Sequence, residues 1–145
     1  MADKSFKLEQ VLAYRGEMEK LCKQEFATAK QGLEKANDLL LRDEEHVNEL
    51  TQEFTCRQQE LDCIDEMRMY SDFFARKREE IKSQRERVEH LDQVMNERRE
   101  DLLEATKDKK VLESLKQKKL DELRQAVKQK ERDFLDEISI QKKVQ

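Results

Sequence analysis

The sequence has no proline, no tryptophan and only 2 glycines in 145 residues. Chain reversals lean on glycine and proline, so a fold with many turns is excluded. β-Branched residues are few beside Glu, Lys, Gln and Arg, which argues against strands and so against a sandwich, a barrel or a nucleotide-binding α/β domain. No apolar run approaches the roughly 20 residues of a membrane span. Met1–Glu9 has no apolar stretch of the kind a secretory leader carries, so a cytoplasmic protein is expected. The cysteines are Cys22, Cys56 and Cys63, an odd number that reads as free thiols in such a compartment. His46 and His90 are isolated from them and from each other, so neither a metal site nor a Cys/His dyad is expected. With so little glycine, a phosphate-cradling loop is excluded. These absences together imply a protein that is not an enzyme and holds no cofactor.

Charge is what the sequence has in quantity. Charged residues make up 44% of the chain and hydrophobic residues 36%, with a net charge of −4. The sign is wrong for a nucleic-acid coat. Residues 1–60 carry 9 basic and 13 acidic side chains, while residues 61–145 carry 21 of each. A mean hydropathy of −1.07 would suit a disordered chain. The spacing of the apolar residues decides against disorder.

Leu12, Glu19, Phe26, Leu33, Leu40, Val47, Phe54 and Leu61 lie seven apart, and seven of the eight are apolar. A second series runs Leu8, Arg15, Cys22, Ala29, Ala36, Asp43, Leu50, Arg57 and Ile64. Alternating steps of three and four form a coiled-coil seam. A new phase follows, with Phe74, Ile81, Val88, Met95 and Leu102 against the weaker Lys77, Gln84, Leu91, Arg98, Ala105 and Leu112. Phe74 lies thirteen beyond Leu61 rather than fourteen, so residues 55–65 interrupt the helix. The composition and the phase break predict an all-α fold, a long antiparallel two-helix coiled-coil hairpin over residues 1–145. Its helices are expected at about 5–59 and 65–141, with the turn at 60–64. Ser5 is the expected N-cap of the first helix, and Asp62 or Asp65 that of the second. Pairing residues whose numbers add to 124 sets Leu50 against Phe74, Leu33 against Leu91, Ala29 against Met95 and Leu12 against Leu112. It also sets Arg15 against Lys109 and Val47 against Lys77, two unfavourable matches. Past Leu112 the spacing stutters through Lys116, Leu120, Leu123, Val127, Phe134 and Ile138.

The residues then resemble a known family. Phe6-Lys7-Leu8-Glu9-Gln10-Val11-Leu12-Ala13-Tyr14-Arg15 is similar to the opening of the flagellar export protein FliJ family, Phe-x-Leu-x-x-Val-Leu-x-x-Arg. The aromatic cluster past the turn, Glu66 to Phe74, and the Glu/Lys/Leu-rich helix around Lys109 to Lys116 extend the likeness over nearly the whole chain. The resemblance implies a cytoplasmic component of the flagellar type III protein export apparatus, peripheral at the inner-membrane base of the flagellum. It implies a coiled coil like the stalk of a rotary ATPase, with a hexameric export ATPase, its regulator, an export gate membrane protein and export chaperones as partners. The family's partner face on the second helix would run from Phe73 through Lys77, Glu80 and Gln84, of which only Phe73 is apolar here. A homodimeric parallel coiled-coil scaffold and a stalk or adaptor of a virulence-type secretion system are the alternative readings.

Two groups of residues are candidate partner contacts. In the register above, nothing on the first helix faces the second beyond about residue 119, yet Leu120, Leu123, Val127, Phe134 and Ile138 keep an apolar stripe. Residues 105–132 carry 10 basic and 5 acidic side chains, which would suit an acidic collar such as an ATPase pore. Near the turn, Met67, Tyr70 and Phe74 are expected to face the seam, with Tyr70 on Phe54. Met69 and Phe73 fall beside it and are expected to be exposed as a gate contact.

Overall fold

The computed structural model describes residues 6–60 and 63–144. It contains two helices, α1 (Glu9–Arg57, 49 residues) and α2 (Ile64–Val144, 81 residues). They form an antiparallel hairpin, as ring and ion-pair contacts between them require. The reversal is made without glycine, and among the described residues none has a positive φ. The chain divides into two compact units. Cys22–Leu102 forms one, and the described residues of Met1–Leu21 and Leu103–Gln145 form the other.

In the unit that holds the turn, every apolar heptad position named above is at least half-buried from Phe26 to Phe54 and from Phe74 to Leu102. Leu33 and Ile81 are the most enclosed, at 9% and 8% exposure. The register is visible in Phe54 against Tyr70, with ring centroids 5.1 Å apart, and in Glu25 against Arg98 at 3.5 Å. In the other unit, Glu9 meets Lys116 at 2.9 Å and Arg15 meets Asp108 at 3.2 Å. Both pairs lie within a residue of the expected pairing. Leu12 and Leu112 are half-buried there.

The two unfavourable matches resolve as ion pairs. Arg15 turns to Asp108, while Lys109 reaches Glu19 at 3.7 Å and Glu113 at 3.6 Å. Glu19, the polar member of its series, is 8% exposed. Lys77 reaches Asp43 at 3.7 Å and Glu80 at 3.1 Å instead of meeting Val47 with an unpaired charge. Heptad counting places side chains on a face, but it does not show that a long Lys or Arg stem can bend to a neighbouring carboxylate.

The helix ends differ from expectation. The Leu8 carbonyl accepts from the Leu12 amide at 2.8 Å, so the first helix starts at Glu9 and Leu8 occupies the cap position. Ser5 lies outside the described residues, as do Leu61 and Asp62. At the second helix, the Cys63 carbonyl accepts from the Met67 amide at 3.4 Å. Asp65 is therefore inside the first turn of α2, where with Glu66 it complements the positive end of the helix dipole.

Candidate partner-binding sites

The aromatic cluster near the turn is built on Phe54 from α1 and Tyr70, Phe73 and Phe74 from α2. Tyr70 and Phe74 are separated by one helical turn and both lie on Phe54, at 5.1 and 6.0 Å between centroids. The Arg57 guanidinium donates to the Tyr70 hydroxyl at 3.1 Å. Met67, expected in the seam, is 38% exposed. Its place on α2 is opposite Arg57, the last residue of α1, so among the described residues α1 offers it no apolar partner.

Phe73 is half-buried rather than free. Its ring meets His46 edge-on at 5.9 Å and Phe74 at 6.2 Å, and the Lys77 ammonium lies 5.8 Å above it. The Lys77 ammonium is held above its ordinary range by the hydrogen bond to Glu80 and then by the charge of Asp43, against partial burial. Met69 is 71% exposed. Met69 and Phe73 line an open cleft of ≈ 510 Å³ with Leu50, Tyr70, Arg57 and Arg76. Neither arginine was legible as a site residue: heptad spacing puts Arg57 in the seam series and leaves Arg76 outside both series.

Beside this cleft the seam is polar. The Gln84 side-chain amide donates to Asp43 at 2.6 Å, and its carbonyl oxygen is buried without a hydrogen-bond partner. Lys77 completes a part-buried group on the same carboxylate.

The second candidate site belongs to the other unit. Leu120, Leu123, Val127 and Phe134 are 37%, 36%, 55% and 62% exposed, and Ile138 is half-buried. At about 100° per residue these five fall within an arc of about 60°. Lys109 and Lys116, which α1 covers through Glu19 and Glu9, lie in the same arc. The stripe thus prolongs the covered face of α2 past the start of α1, and among the described residues nothing from α1 faces it.

Cys22 is half-buried, and Cys56 and Cys63 are exposed; all three thiols are free. Burial, then the charges of Glu25 and Asp101, push the Cys22 thiol up. A pushed-up thiol is a poor nucleophile, so its chemistry is that of a small seam residue. Among the described residues no helix is long and apolar enough to cross a membrane.

The two-helix hairpin, with its aromatic cluster past the turn, matches the layout that the sequence resemblance implied. The family model for the flagellar FliJ protein matches residues 4–144. The chain belongs to the FliJ family. It is therefore a component of the flagellar export apparatus. No curated protein and no solved structure matches it.

Proposed function

We propose that this FliJ-family chain is a non-enzymatic, stalk-like coiled coil that links the export ATPase ring to the export gate. In this reading Leu120, Leu123, Val127, Phe134 and Ile138 contact the ATPase, and Met69 and Phe73 contact the gate protein. A peripheral position at the inner-membrane base, contact with the ATPase regulator and escort of free export chaperones belong to the same proposal. The observation that carries it is the stripe on α2, an apolar face in phase with the seam and left open where α1 begins. A helix this charged gains little from keeping four large apolar side chains in water, and such faces mark contacts. The antiparallel hairpin also occupies the seam faces that a parallel homodimeric scaffold would need.

The test is Leu123→Ser with Val127→Ser and Phe134→Ser. Circular dichroism should show helicity largely retained, because all three side chains are exposed. Binding to the purified export ATPase should weaken. Unchanged binding would reject the assignment of the stripe.

A further inference from the structure

We infer that the α2 stripe is completed by an amphipathic helix supplied by another protein, and that this helix carries acidic side chains opposite residues 116–130. The inference rests on the stripe being a partner contact, and adds the chemistry of what covers it. Continuity with the α1–α2 seam supplies the first argument. In the same unit, Lys109 and Lys116 interrupt the apolar row of α2, and α1 answers both with carboxylates, Glu19 on Lys109 and Glu9 on Lys116. Past Lys116 the row continues, and its flanks within about 70° of the stripe are Lys119, Arg124 and Lys130. Among the described residues no carboxylate pairs with any of the three.

The nearby acids do not neutralise them. Asp121 accepts from Gln117 at 3.2 Å and Asp133 from Gln129 at 3.0 Å, both along the same helix. Helical spacing places both more than about 100° from the stripe centre. Only Glu131 and Glu137 flank it, at its distal end, so the partner's acids are confined to the stretch facing 116–130. From Leu120 to Ile138 the face is about 28 Å long, the length of a helix of about 19 residues.

The experiment uses the full chain and two synthetic helical peptides of about three heptads. They share the same leucine row, and one has Glu and the other Lys at the flanking positions. Binding is read by fluorescence anisotropy, at concentrations where each peptide is monomeric. The Glu-flanked peptide should bind at least about tenfold tighter than the Lys-flanked one, with the preference shrinking as salt rises. The variant carrying Lys119→Glu, Arg124→Glu and Lys130→Glu should reverse the preference, and Leu123→Ser with Val127→Ser should abolish binding of both. Equal binding of the two peptides, or binding untouched by the leucine and valine changes, would overturn the inference. So would a concentration-dependent dimer, seen by sedimentation, that the apolar substitutions dissolve. The ATPase is absent from this assay. A charge-selective stripe with no ATPase affinity would therefore sink the assignment of the ATPase alone, and ATPase binding with no charge preference would sink the acidic helix alone.

Discussion

Asp43 shows how one side chain sets the cost of a polar seam. It accepts from Gln84 at 2.6 Å and pairs with Lys77 at 3.7 Å, with side-chain exposures of 20% for Asp43 and 19% for Lys77. Asp43→Ala strands the Gln84 amide, whose carbonyl is already unpartnered, and should cost about 1–3 kcal/mol in denaturant unfolding. Lys77 keeps Glu80 in that variant. Replacing both Asp43 and Gln84 by Leu removes donor and acceptor together, and the double variant should be close to wild type or more stable. A double variant weaker than Asp43→Ala alone would show that the group contributes net stability. The cysteines give a second residue-scale prediction. Maleimide labelling at neutral pH should modify Cys56 and Cys63 quickly and Cys22 slowly, because burial and two nearby carboxylates hold the Cys22 thiol protonated. Equal labelling of all three would mean that the seam opens around Cys22. Near the turn, Met69→Ala should change stability by no more than about 0.5 kcal/mol. Phe73→Ala loses contacts with His46, Phe74 and Lys77 and should cost more, about 1–2 kcal/mol. Met69 is therefore the cleaner probe of gate binding.

At the scale of the helices, the two glycines are the weak points of α1. Nothing lies within 4 Å of where a Cβ would stand at Gly16 or Gly32. Each Gly→Ala change should stabilise by about 0.5–1 kcal/mol, read as a raised unfolding midpoint. A lowered midpoint would point to a close approach at that position. The heptads from Leu12 to Phe54 and from Phe74 to Leu112 were legible in the sequence because a two-helix seam imposes one period along its whole length. The starts of the helices were less so, since the caps fall to Leu8 and Cys63, residues without the side-chain oxygen that marks an N-cap in a sequence. Near the turn, Met67 kept the 3-4 spacing of a core residue but has no apolar partner from α1 among the described residues, because α1 stops at Arg57. Spacing marks a face and is blind to how far the opposite helix extends. For the same reason the stripe from Leu120 to Ile138 was legible as apolar, while the half-burial of Phe73 by His46 was not.

At the scale of the molecule, net charge and seam divide the work. The acidic first 60 residues answer a more basic second helix, so ion pairs line the hairpin at both its units. Most are partly exposed and each contributes little alone, so they select the antiparallel register more than they stabilise it. Where α1 gives out, the same basic flanks and apolar row remain without an answer inside the described chain. The account therefore stands on what covers that row. The most direct measurement is the affinity of the purified export ATPase for the wild-type chain and for Leu123→Ser/Val127→Ser/Phe134→Ser, with Met69→Ala as a control outside the stripe. The triple variant should lose about 3 kcal/mol of binding, on the order of a hundredfold in Kd, at an unchanged unfolding midpoint, while Met69→Ala binds as wild type. Wild-type affinity in the triple variant, with its helices intact, would contradict the account.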